Sequence, residues 1–149
     1  MKYIRSYNES NSEGLNELEI KDFCEINLAY LMDDGLKVLV SEEVFDLKVI
    51  DYKVTLSFRL LANKRWGQIK DQVIPFLTHL RNEYELLAED RGLYQTFVSN
   101  IRIEIIGSIT TYPEWFNIDD IISEKIVPAA RLGDNYKISA IQFKIKGKK

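Results

Sequence analysis

The stretch Ile50-Asp51-Tyr52-Lys53-Val54-Thr55-Leu56-Ser57-Phe58-Arg59-Leu60 alternates apolar and polar side chains without a fault over eleven residues. A period of two is the signature of a β-strand. An apolar row (Ile50, Tyr52, Val54, Leu56, Phe58, Leu60) facing one way and a polar row (Asp51, Lys53, Thr55, Ser57, Arg59) facing the other marks a strand with one buried and one wet face. That pattern belongs to an antiparallel sheet, because parallel strands are covered on both sides and read as continuous apolar runs.

Working outward, Leu36, Val38 and Val40 alternate with Lys37 and Ser41 and give a second strand just upstream. Before it, Leu15, Leu18, Phe23, Ile26, Tyr30 and Leu31 recur at three- and four-residue steps, which predicts one amphipathic helix from Leu15 to Met32. Asp33-Asp34-Gly35 ends it, glycine being able to take a left-handed cap without a Cβ clash. Downstream of the deciding strand, Asn63–Gly67 is a break. Ile69, Val73, Phe76, Leu77, Leu80, Tyr84 and Leu87 then mark a second amphipathic helix, with Pro75 expected in its first turn or at a bend. Asn100–Thr111 reads as a strand with Ile101, Ile103 and Ile105 inward, and Pro113-Glu-Trp-Phe as a break in pairing. Asn117 caps a short helix from Ile118 to about Lys125, and Tyr136–Lys146 is a last strand with Ile141, Phe143 and Ile145 on one face. The expected fold is α+β: an antiparallel or mixed sheet of four to five strands, with two long amphipathic helices packed on one face.

The chain has 149 residues, the common size of one domain. Residues 1–14 read as an amphipathic peptide, Met1–Asn8, on a polar linker, and 15–149 as a single domain. The one cysteine, Cys24, has no partner for an internal disulfide and lies among apolar residues, so it reads as a small core side chain. No apolar leader opens the chain, and no apolar run approaches the ~20 residues of a membrane span. The expected setting is therefore a reducing cytoplasm, with no membrane partner.

The net charge of -3 is unevenly spread. Residues 1–35 carry three basic against eight acidic side chains, and residues 136–149 carry five lysines (137, 144, 146, 148, 149) and no acid. The basic end reads as a solvated tail.

The spacings that chemistry demands are scarce. With one histidine, His79, far in sequence from Cys24, there is no triad and no zinc set. Seven glycines form neither a Gly-x-Gly-x-x-Gly nor a Walker loop. Asp33-Asp34 and Asp119-Asp120 sit where a helix end and a helix start favour acids for structural reasons. Asp46-x-Lys48 and Asp51-x-Lys53, with Glu25 as a helix acid, match the short dyad of Mg²⁺-dependent nucleases, but a polar strand face generates acid-x-Lys freely. The sequence therefore calls for no cofactor and no metal site, and it leans away from an enzyme.

Two binding readings are left. Lys53, Arg59 and Arg102 on the wet face could track phosphates, aided by the lysine tail, although a pI near 5.3 opposes the counterion release on which nucleic-acid binders depend. A protein partner is the favoured one. Arg65 and Trp66 at a loop, and Tyr112, Trp115 and Phe116 in a second loop, are residue types that dominate binding hot spots. An open strand edge also leaves room for a homo-oligomer.

The opening Met1-Lys-Tyr-Ile-Arg-Ser-Tyr-Asn-Glu9 resembles that of many small proteins of large tailed bacteriophages, a group that brings no assigned activity. Cys24-Glu-Ile-Asn-Leu-Ala-Tyr-Leu-Met-Asp-Asp-Gly35 and Trp66-Gly-Gln-Ile-Lys-Asp-Gln-Val-Ile-Pro-Phe-Leu77 are similar to segments of the same proteins. The resemblance implies a phage-encoded accessory protein, found in the infected bacterial cytoplasm or the virion, that binds a host or virion protein. It also likens the first residues to a tag for packaging into particles.

Overall fold

The computed structural model describes residues 15–59, 64–90, 98–124 and 133–149. The expected amino-terminal peptide and linker, residues 1–14, lie outside the described residues. The chain runs α1 (Glu17–Asn27), α2 (Ala29–Asp33), β1 (Lys37–Phe45), β2 (Lys48–Ser57), α3 (Trp66–Glu83), β3 (Tyr84–Leu86), β4 (Glu89–Asp90), β5 (Val98–Ser99), β6 (Ile101–Ile106), β7 (Thr111–Phe116), α4 (Ile118–Ser123) and β8 (Lys137–Lys148). The α+β class holds. A six-stranded, wholly antiparallel sheet has the order β1-β2-β8-β6-β7, with β3 beside β8, and β4 and β5 make a separate two-stranded arm.

Six strands exceed the four to five expected because two carry no readable period. β3 has only three residues, too few for an alternation. β7 contains Pro113, which sits opposite Glu104 on the outermost strand, where a missing N–H costs no ladder bond. Only α3, at 18 residues, is a long helix among the described residues. The expected Leu15–Met32 helix is divided at Leu28, whose φ of -119° and ψ of 30° leave the helical region. Just before the break, Asn27 Nδ2 donates to Phe23 O at 2.8 Å and competes with the backbone for that carbonyl. The buried stripe also differs in phase. Ile20, Cys24, Leu28 and Leu31 face the core, while Leu18, Ile26 and Tyr30 are exposed.

One apolar core joins the helices to a single face of the sheet. Phe23 and Phe76 bring α1 and α3 together, their ring centroids 6.0 Å apart, and Phe76 reaches Phe143 of β8 at 6.2 Å. Tyr52, Val54, Leu56, Ile101, Ile103, Ile105, Ile141 and Ile145 complete the layer from the sheet side. Pro75 lies well inside α3, not in its first turn.

Two features of the sheet shape its polar face. First, β8, which carries the basic end of the sequence, is the central strand and no tail. Lys144 Nζ donates to Glu43 at 3.0 Å and Lys148 Nζ lies 2.6 Å from Glu19. Second, β3 and β6 run along the same side of β8 as one interrupted line. Leu87 N donates to Lys144 O at 2.8 Å, and Arg102 is paired with Gln142, so the line resumes almost where it stopped. The intervening residues carry the β4–β5 arm.

Candidate functional site

On the sheet face opposite the helices, the register lines up Thr55 of β2, Gln142 of β8, Arg102 of β6 and Trp115 of β7. Their side chains form a continuous chain. Gln142 Nε2 donates to Thr55 Oγ1 at 3.3 Å, Arg102 Nη1 donates to Gln142 Oε1 at 3.0 Å, and the Arg102 guanidinium lies 5.7 Å from the centre of the Trp115 ring. A cation over a tryptophan face is held by the ring quadrupole, at about 0.5–1 kcal/mol when exposed. Glu104 Oε1, 3.4 Å from Arg102 Nη1, fixes the guanidinium from the next rung.

Beside this row, the base of the arm meets the sheet and leaves a recess of about 60 Å³. Leu87, Glu89, Ser99 and Asn100 form the arm side, and Lys53, Arg102, Trp115, Gln142, Phe143 and Lys144 the sheet side. Ser99 is fully buried, and its Oγ has no hydrogen-bond partner among the described residues. Lys53 and Lys144 are direct cross-strand partners. Glu43 neutralises Lys144, and that hydrogen bond raises the ammonium pKa above its ordinary value. Asp51, expected on the wet side, is only 7% exposed, and its Oδ1 is likewise unpartnered among the described residues. Burial, then the charge of Glu43, push its pKa up, and Lys144 pulls it partly back.

The structure brings Lys53 and Trp115 to this recess and sends the other candidate residues elsewhere. Tyr112, Trp115 and Phe116 are not a loop cluster. They lie on β7, where successive side chains point to opposite faces. Trp115 therefore joins the polar face, Phe116 (paired with Ile101) is buried in the core, and Tyr112 is exposed near the strand start. Trp66 is likewise a core residue, 5% exposed at the start of α3. Arg65 is a clamp: its N–H donates to Gln68 Oε1 at 2.8 Å, and Nη1 donates to Asn135 O at 2.9 Å, tying α3 to the turn before β8. Arg59 is exposed just past β2.

Sequence reasoning misses the tip of the β1–β2 hairpin. Val44, Phe45, Leu47, Val49 and Ile50 are all exposed there, Phe45 by 71% and Leu47 by 96%. Asp46 and Leu47 form the turn with φ of 56° and 66°, a left-handed pair that hairpins normally assign to Asn-Gly. The signal lies in Val44-Phe-Asp-Leu-Lys-Val-Ile50, five apolar residues of seven next to a turn.

The nuclease dyads do not converge on Glu25. Glu25 pairs with Lys21 at 3.6 Å on α1, which packs on the core face, whereas Asp51 and Lys53 belong to the opposite one. Among the described residues no group of three or more His, Cys, Asp or Glu is gathered as a metal site requires. His79 is exposed, its Nδ1 2.9 Å from Asn27 Oδ1. Cys24 is fully buried, and burial pushes its thiol pKa up to about 12, far from a reactive thiolate. No described helix is long and apolar enough to cross a membrane. No protein-family model, curated protein or solved structure matches the chain.

Proposed function

We propose that this chain is a non-catalytic accessory protein of a tailed phage, acting in the infected cytoplasm or the virion, that holds another protein through the tip of its β1–β2 hairpin. The exposure of Phe45 and Leu47 at a left-handed turn carries the reading. A leucine in that conformation strains the backbone by roughly 1–2 kcal/mol, and its exposed side chain gains nothing in the free protein. Burying Phe45 and Leu47 against a partner returns about 2 kcal/mol apiece. Glu42 and Asp46 flank the tip against Lys48, so the surface that fits it is an apolar patch with a basic rim.

Nucleic-acid binding through the polar face ranks second. Arg102 already occupies one face of the Trp115 ring, where a base would stack, and Lys144 and Lys148 are tied to acids. The test is affinity capture from infected cells, after nuclease treatment, with the wild type and a Phe45→Asp/Leu47→Asp variant of equal Tm. A stoichiometric protein kept by the wild type and lost by the variant is the expected result. The same proteins on both baits would reject the hairpin as the binding element. Partners that vanish with nuclease would favour the polar face, and self-capture would identify a homo-oligomer.

A further inference from the structure

The hairpin leaves the recess under the β4–β5 arm unexplained. Its composition is unusual for a chance crevice. Three cationic side chains (Lys53, Arg102 and Lys144) border it against one acid, Glu89. Among the described residues Lys53 has no ion pair and no side-chain hydrogen bond, although it stands opposite another lysine. Arg102 engages Gln142 and Glu104 through Nη1 alone, leaving further N–H groups of its five. The Ser99 hydroxyl lies fully enclosed behind the arm wall, out of reach of any group in the recess. Leu87 and Trp115 add apolar wall.

We propose that this recess binds a small monocarboxylate, its oxygens received by Lys53 and Arg102 and its short hydrocarbon part laid against Leu87 and Trp115. Size, charge and wall chemistry each select it. A volume of about 60 Å³ holds roughly four to six water-sized groups. A planar carboxylate matches a guanidinium fork and still presents carbon to the apolar wall, which phosphate does not. Glu89 repels a dianion more than a monoanion. The carboxylate can be a free acid or the terminal carboxylate of a peptide. A ligand of so few atoms binds no tighter than the micromolar range, since affinity per atom is bounded.

The test is a titration of the full-length ¹⁵N-labelled protein with propionate, following the Trp115 indole and the Ser99 and Asn100 amides. Propionamide, inorganic phosphate and N-acetylalanine are titrated in parallel. Saturable shifts with propionate and little response to propionamide or phosphate are expected, and tighter binding of N-acetylalanine than propionate would identify a peptide terminus as the source. Lys53→Met should weaken propionate about tenfold, the loss of one charge-assisted bond, and Ser99→Ala, whose hydroxyl the recess does not reach, should leave the affinity unchanged. No saturable shift at tens of millimolar propionate, equal binding of the amide, or wild-type affinity in Lys53→Met would overturn the proposal.

Discussion

Lys53 and Lys144 stand directly opposite each other across the β2–β8 ladder, on the same side of the sheet. Like charges so placed destabilise a strand pair by a few tenths of a kcal/mol. Their surroundings differ, because Glu43 bonds Lys144 at 3.0 Å and Lys53 has no such partner among the described residues. Opposite signs follow. Lys53→Met should raise stability by about 0.3 kcal/mol. Lys144→Met should lower it by about 0.5–1 kcal/mol, a modest figure because that pair is partly solvated, and it leaves Glu43 and Asp51 facing each other. Urea unfolding reads both, and a loss in each variant would show that the lysines do not repel.

Asp51 makes a pH-dependent contribution of unusual sign. Its folded pKa lies above 3.8 because burial and Glu43 disfavour the charged form. The native state therefore holds more protons than the unfolded chain between the two pKa values, and this group's contribution to stability falls as pH rises through that window. Asp51→Asn should stabilise the fold at neutral pH, and the gain should shrink as pH is lowered toward the ordinary aspartate range. A gain independent of pH would place its origin elsewhere than in the charge.

The Asp46-Leu47 turn trades stability for an exposed side chain. Replacing the pair by Asn-Gly suits both positive φ values and should add about 1–2 kcal/mol in chemical denaturation, while abolishing capture of the hairpin's partner. A variant that is more stable and binds equally well would mean that Leu47 is not the contact.

Trp66 and Trp115 should differ sharply in their response to truncation. Trp66→Ala opens the core and should cost about 3–5 kcal/mol, as should Phe116→Ala. Trp115→Ala removes a partly exposed ring over which Arg102 lies and should cost about 1 kcal/mol while reshaping the recess. Thermal melts of the three variants decide the ranking.

Pro75 denies Asp71 O its helical donor, yet its ring is exposed on the outer side of α3. Pro75→Ala should stabilise the protein by about 2 kcal/mol, less than the full helix penalty because alanine also loosens the unfolded chain. A decrease would show that the ring holds a bend the core requires.

The strong periodicities are legible in the order of residues alone. The Tyr52–Phe58 alternation, the Ile69–Leu80 stripe and the Asn117 cap all appear where that order puts them. The failures have physical causes. In the first helix several stripes have comparable apolar content, and only tertiary contact picks Ile20 and Cys24 over Leu18 and Ile26. Pro113 reads as a break because sequence cannot tell an edge strand from a central one. The lysines of β8 read as a tail because a strand's centrality is decided by distant partners. Lys53 and Trp115 both stand out as binding residue types, but their meeting needs the register of four strands, and Ser99 gives no signal at all.

The interruption between β3 and β6 has an architectural consequence. Leu87 and Arg102 hold neighbouring positions along β8, so the arm between them is an insert whose two roots are nearly adjacent. Lengthening such an insert costs little, about 0.6 kcal/mol for each doubling. Variants of this scaffold could lengthen, shorten or exchange the arm without breaking a ladder bond of the six-stranded sheet. Each exchange would give the same sheet a different rim beside Lys53 and Arg102, making the arm a replaceable part on an unchanged frame.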